Sequence, residues 1–167
     1  GAVQTGFKYA AVNGYRYMVQ VDGDGQHIPQ EIDRLMAVMD ATDCDMVIGS
    51  RFLDVQSYRT TTARRMGIKF FYYLFKLLVN IEITDGTSGF RLYNRKSITL
   101  LSRYYADDYP EPDAIILLQK NGMSIKEVGV RMKAREHGAS SITPLKSPYY
   151  MAKVIISILF SYSRTRW

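Results

Sequence analysis

The chain has 167 residues, enough for one domain with a core of its own, and 47% of them are hydrophobic, an ordinary globular share that excludes a disordered chain. Twenty-two basic residues against 16 acidic ones leave a net charge of +6, which favours anionic partners, whether phosphates, an acidic lipid surface or nucleic acid, without choosing among them. The single cysteine, Cys44, excludes an intramolecular disulfide framework and fits a reducing, cytosolic setting, and no stretch approaches the roughly 20 apolar residues needed to cross a bilayer.

From the N-terminus, Val3, Phe7, Ala10 and Ala11 share one face of a predicted helix over residues 2–13, and Asn13-Gly14 supplies its stop. It leads straight into a strand, so it reads as a crossover helix of a sheet whose earlier strands are not in this sequence. Residues 15–21 are rich in aromatic and β-branched side chains and predict a buried strand, which puts Asp22 at a strand's carboxyl end, where open α/β sheets place their ligands. Gly23 and Gly25 let the backbone turn sharply there. Asp22 and Asp24 repel each other unless a cation lies between them, and Mg²⁺ or Mn²⁺ takes oxygen ligands of this kind while keeping positions open for phosphate. Gln26 is a weaker third oxygen. A plain surface turn is the competing reading of an Asp-x-Asp, and a calcium loop fits worse, because its sixth and twelfth positions would hold His27 and Asp33 instead of Gly and Glu.

Pro29 suits a first helical turn, and Ile32, Leu35, Met36 and Met39 repeat at helix spacing before a short strand over 45–49. The alternation of helix and strand argues for a layered α/β fold with a mostly parallel sheet. A polar stretch over 54–62 reads as a loop, with Thr60 to Thr62 beside Arg64 and Arg65 as either solvated residues or phosphate contacts. Residues 66–80 form the most apolar predicted helix, with Lys69 and Lys76 near one stripe. It either packs against another helix or a partner subunit, as in a homo-oligomer, or lies in a membrane interface with its lysines at lipid phosphates.

Gly86, Ser88 and Gly89 predict a tight turn into a strand-like 90–93, and Asn94 caps a helix through Leu101. Pro110 and Pro112 stiffen the entry to a helix over 114–120, where Glu111 and Asp113 are either dipole partners of its first turn or one of them is a general base. A final strand is predicted over 124–132, followed by a basic, glycine-containing loop, Arg135 to Ser141. His137 in that loop reads as a solvated side chain, with a metal ligand or a base as the alternative. Residues 147–167 repeat the aromatic and basic pattern of an interfacial anchor, with Lys153, Arg164, Arg166 and Trp167 around an apolar run.

Three segments in order, Val-Gln-Val-Asp-Gly-Asp-Gly-Gln-His-Ile-Pro from Val19, Val-Ile-Gly-Ser-Arg-Phe from Val47 and Asp-Gly-Thr-Ser-Gly-Phe-Arg-Leu-Tyr-Asn from Asp85, resemble the family 2 glycosyltransferases of GT-A fold. Within them the resemblance is to the dolichol-phosphate mannosyltransferase-like enzymes and the small bacterial transferases of cell-surface polysaccharide. It implies a three-layer α/β/α catalytic domain over 1–146, N-terminally incomplete because the base-binding first strand and its loop precede this sequence, and a C-terminal amphipathic helix over 147–167. It implies an inverting transfer from a nucleotide-diphosphate sugar to a polysaccharide or polyprenyl-phosphate acceptor, on the cytoplasmic face of the cell membrane. Asp22, Asp24 and Gln26 would hold Mg²⁺ or Mn²⁺, while Arg51, Ser88, Arg91 and Arg135 would line the donor phosphates. Asp113 would be the base, with Glu111 second. Ser141 stands where the lipid-phosphate mannosyltransferases carry Lys.

A non-catalytic membrane-surface or partner-binding module is the rival reading. Nucleic-acid binding is disfavoured, since the basic residues are scattered and no recognised motif appears.

Overall fold

The structure, a computed structural model, describes residues 1–53, 62–105 and 110–133 together with 155, 156, 159, 162 and 163, and of residues 62–68 the backbone. Its elements are α1 (Ala2–Val12), β1 (Tyr17–Gln20), a single 3₁₀ turn (Pro29–Glu31), α2 (Ile32–Thr42), β2 (Met46–Ser50), α3 (Thr62–Val79), β3 (Arg91–Asn94), α4 (Arg95–Tyr104), α5 (Pro110–Lys120) and β4 (Ile125–Gly129).

The strands form one sheet in the order β1-β3-β2-β4. β2 and β4 are parallel, with Val47 opposite Lys126, whereas β3 runs antiparallel to both neighbours, with Leu92 opposite Val19 on one side and Val47 on the other. Three strands therefore share one direction, but the reversed β3 sits between two of them, so two of the three pairings are antiparallel and the sheet is mixed where the helix–strand alternation predicted a mostly parallel one.

Side-chain alternation along each strand builds the two cores. Met46 and Ile48 of β2, with Tyr93 of β3, enter a larger core under α1, α3, α4 and α5, whose members include Phe7, Phe75, Ile98, Leu101 and Ile115. Val47 and Leu92 face the opposite way, into a smaller core under α2 with Leu35, Met39, Phe90 and Val130. The result is the helix–sheet–helix layering expected of alternating elements. Each fully buried large side chain of this kind contributes about 1.5–3 kcal/mol of transfer free energy.

β2 is buried along its whole length between β3 and β4, which is why it reads as an unbroken apolar run. β1 differs from expectation. It is shorter than the predicted 15–21, it is only half-buried, and among the described strands it has one neighbour, β3. Its Met18 serves the larger core and its Tyr17 and Val19 the smaller.

Helix ends follow local chemistry. The Asn94 side chain accepts the Ser97 N–H at 3.0 Å and starts α4. Asp43 in the left-handed region (φ 48°) ends α2, and Gly122 (φ +72°) follows the end of α5. At the same end of the sheet, the buried Asp45 accepts from Ser124 N–H at 2.9 Å and from Asn94 Nδ2 at 2.9 Å, tying β2, β4 and the α4 cap together.

The long loop from α3 to β3 is held against the core by a missing side chain. A Cβ at Gly86 would collide with the ring of the fully buried Phe75. Gly86→Ala is therefore expected to destabilise the protein by about 1–3 kcal/mol, and Phe75→Leu in the same chain to recover about 1 kcal/mol of that loss. Urea denaturation of the two single variants and the double variant checks this; strictly additive losses would show that residue 86 and the ring do not meet.

Candidate active site

Because β1, β2 and β4 run one way and β3 the other, the segments that follow the first three and the segment that precedes β3 all open on one edge of the sheet. That edge gathers the acidic loop after β1, Arg51 after β2, residues 84–90 before β3 and residues 131–133 after β4.

In the acidic loop, Asp24 Oδ1 accepts the Gln26 N–H at 3.1 Å, closing a side-chain turn in which Gly25 has φ +74°. The Asp22 carboxylate, about half exposed, lies over the Cα of Gly89, in the space that a Cβ there would fill. The same carboxylate is 3.3 Å from His27 Nε2. Gln26 and Lys133 pair through the backbone, Lys133 N–H donating to Gln26 O at 2.9 Å, and the Gln26 amide nitrogen donates to Lys133 O at 3.4 Å. That leaves the amide oxygen as the atom of Gln26 suited to a cation.

Arg51 is gripped by the protein itself. Its Nε and Nη2 donate to the two carboxylate oxygens of Asp85 at 2.7 and 2.6 Å, its backbone N–H donates to Asp85 Oδ2 at 3.0 Å, and Nη2 also reaches Thr87 Oγ1 at 3.2 Å. The Asp85 side chain has no exposed surface, whereas that of Arg51 keeps 22%. The two-pronged guanidinium edge that would clasp a phosphate is thus occupied. Glu127 of β4 secures the same loop, accepting from Thr84 N–H and Thr84 Oγ1 at 2.9 Å each and from Asp85 N–H at 2.6 Å. Burial pushes the Glu127 carboxyl above its usual range, opposed by those donors and reinforced by the nearby Asp85 charge.

Arg91 corrects the sequence expectation. It is fully buried and donates to three backbone carbonyls, Ser88 O at 2.7 Å, Glu111 O at 2.8 Å and Gly86 O at 2.9 Å, so it braces the loop against α5 and does not face a donor phosphate. Burial is costly for a guanidinium; among the described residues this one has no ion-pair partner, and the three carbonyl dipoles offset that cost. Ser88 is corrected too: its buried hydroxyl donates to Gly49 O at 2.7 Å and accepts from Phe90 N–H at 3.2 Å, which makes it a brace between the loop and β2.

Glu111 and Asp113 both lie in the first turn of α5, where the helix dipole favours carboxylates, and Asp113 is buried. The bond from Arg91 to Glu111 O joins this turn to the 86–88 loop. Arg135, His137 and Ser141, along with the 54–61 loop and most of 147–167, lie outside the described residues. Among the described residues, no group of three or more His, Cys, Asp or Glu side chains converges as a cation cage.

Residues 1–101 match the profile of Glycosyl transferase family 2. The chain belongs to that family. Among its relatives, the polyprenol monophosphomannose synthase of Mycolicibacterium smegmatis is 31% identical over 146 residues, covering 85% of this chain and 55% of that protein. The UDP-N-acetylglucosamine–dolichyl-phosphate N-acetylglucosaminyltransferase of Methanococcus voltae is 28% identical over 137 residues, covering 78% of this chain and 53% of that one. The chain thus spans about half the length of these two relatives. In fold it is similar to the glucosyl-3-phosphoglycerate synthase of Mycobacterium tuberculosis, crystallised with Mn²⁺, UDP-glucose and phosphoglyceric acid, with a TM-score of 0.63 at 16% identity over 97% of this chain and 55% of that one. The α/β layering described above is the GT-A arrangement.

In this family 2 chain, sequence reasoning passed over three side chains that organise the site: Asp85, Glu127 and His27. One signal was available, an acidic residue in the middle of a strand whose neighbours Ile125, Val128 and Val130 are apolar. The Arg51–Asp85 pair predicts an asymmetry. Arg51→Met leaves a fully buried carboxylate and should lose about 3 kcal/mol or more, whereas Asp85→Asn leaves an arginine that can still reach water and should lose about 2 kcal/mol. Chemical denaturation of both variants tests the order; Asp85→Asn costing more than Arg51→Met would refute this account of the pair.

Proposed function

We propose that the full-length protein transfers a sugar from a nucleotide-diphosphate donor to a lipid-linked acceptor, of polyprenyl-phosphate or growing-polysaccharide type, in cell-envelope glycan synthesis. The observation that carries this is the meeting of two distant motifs, the Asp22 carboxylate seated over Gly89, in a chain of this family. The names of its relatives, one acting on polyprenol phosphate and one on dolichyl phosphate, support a lipid-linked acceptor.

The donor set suits a divalent cation. Asp22 has a half-exposed carboxylate, Asp24 sits one turn away, both are hard oxygen ligands, and the absence of a side chain at Gly89 leaves the carboxylate room. Asp22, Asp24 and the Gln26 amide oxygen would hold Mg²⁺ or Mn²⁺. Such an ion, when bound, neutralises the diphosphate charge that develops as the sugar bond breaks, an effect typically worth several kcal/mol. The chain's own residues hold the loops that shape the site: Arg51, Asp85 and Glu127 on one side, Ser88 and Arg91 on the other. Arg135, two residues after Lys133 in the sequence and outside the described residues, is proposed to meet the donor phosphates. Asp113 is proposed to take the proton of an acceptor hydroxyl, giving inversion at the sugar carbon. An acceptor that is itself a phosphate needs no base.

Substituting Asp24→Ala in the full-length protein is expected to abolish sugar transfer while costing only about 1 kcal/mol of stability, the loss of the turn bond that the half-buried carboxylate accepts from the Gln26 N–H. Normal turnover with normal metal dependence in that variant would sink the assignment.

We further propose that α3 rests on the inner face of the cell membrane. Phe70 (40% exposed), Tyr73 (64%) and Leu77 (83%) project at helical spacing from the side opposite the buried Phe71 and Phe75, and exposed Lys69 and Lys76 flank them. No helix among the described residues is long and apolar enough to cross a membrane, so the contact proposed is interfacial. Lys76 also pairs with Glu82 at 2.6 Å, so Lys69 is the stronger attraction to lipid phosphate. Lys69→Glu with Lys76→Glu should weaken flotation with anionic vesicles several-fold. Unaltered flotation would return that face to a protein partner.

A further inference from the structure

His27 sits beside the acidic pair but fits none of the roles assigned so far. Its side chain is 5% exposed, and the ring packs at a tilt against Phe90 with centroids 4.8 Å apart and planes at 31°. Nε2 lies 3.3 Å from Asp22 Oδ2, whereas Nδ1 is buried and has no hydrogen-bond partner among the described residues. An ionised carboxylate can only accept, so the proton of this contact is on Nε2. Nε2–H is thus directed at Asp22, and the far side of the ring is closed off from solvent.

The ring's own position is fixed from β2. Phe90 O accepts the Gly49 N–H at 2.9 Å, and Phe90 N–H donates to Ser88 Oγ, which donates in turn to Gly49 O. Two consecutive residues thus act on one carboxylate. Gly89, lacking a Cβ, provides the space in which it lies, and Phe90 holds the imidazole that donates to it. A carboxylate left half exposed would otherwise sample several rotamers, and an ordered one loses less entropy when it takes up a ligand.

We infer that His27 is a positioning residue that presets the Asp22 carboxylate for a divalent cation through an Nε2–H donor, backed by the Phe90 ring. This rests on the metal reading of Asp22 and Asp24. Outer hydrogen bonds of this sort change metal affinity by roughly 10–100-fold when removed.

The test uses full-length protein. Mn²⁺ titration followed by the electron paramagnetic resonance of the free ion should show affinity lower by about ten-fold in His27→Leu, which keeps an apolar cover on Phe90 but donates nothing. His27→Gln, with an amide N–H at similar reach, should recover most of the loss. Long-range ¹H–¹⁵N spectra of the imidazoles should show the Nε2–H tautomer for His27 in the wild type and a mixture in Asp22→Ala, a signature that a merely structural histidine would not give. Mn²⁺ binding by the wild type with the same affinity as by His27→Leu, or a His27 tautomer indifferent to Asp22, overturns this inference alone. Wild type that binds no Mn²⁺ overturns the metal reading with it.

Discussion

The buried carboxylate of Asp85 is the constraint on which the site depends. A charge with no exposed surface must be answered where it lies, and the Arg51 guanidinium answers it with two parallel hydrogen bonds while the Arg51 backbone adds a third. Because Arg51 directly follows β2 and Asp85 opens the segment before β3, that one pair welds a long connection to the end of the central strand. Glu127 holds the same connection from β4 through the Thr84 and Asp85 N–H groups. The loop is thereby fixed to two strands before any of its later residues reach the site.

What the loop delivers is space and support more than charge. Gly86 admits the Phe75 ring, Gly89 admits the Asp22 carboxylate, and Arg91 ties the backbone carbonyls of the loop to the first turn of α5. Two residues expected to hold a substrate are instead internal braces, because their polar groups are needed where backbone carbonyls would otherwise be buried unmet. The open side of the site is left to the carboxylates of Asp22 and Asp24. It is also where the 131–133 segment passes beside Gln26 and His27.

The two faces of α3 bear on how such a site could meet a lipid-linked acceptor. One face is locked into the larger core by Phe71 and Phe75, and the other presents aromatic and aliphatic side chains between lysines. A helix with both faces apolar is normally fully buried, and the half-covered state of this one is what the proposed membrane contact rests on.

The sequence by itself determined the order and kind of the elements, the strand that leads into the acidic loop, the cap at Asn94, and the family, because helix and strand periodicities and turn residues are local signals and the motifs are contiguous. Its periodicity could not show that β3 runs against its neighbours, since strand direction depends on how the chain returns to the sheet and not on which residues alternate within a strand. Nor could it separate Arg51 and Arg91, two arginines in equally promising motifs. One keeps 22% of its side chain exposed beside Asp85 and the other is sealed among three carbonyls, a difference set by residues 34 positions away in the first case and 20 in the second. His27 and Glu127 were silent for the same reason. A buried polar side chain acquires its role from the groups that meet it, and only the tertiary structure decides which groups those are.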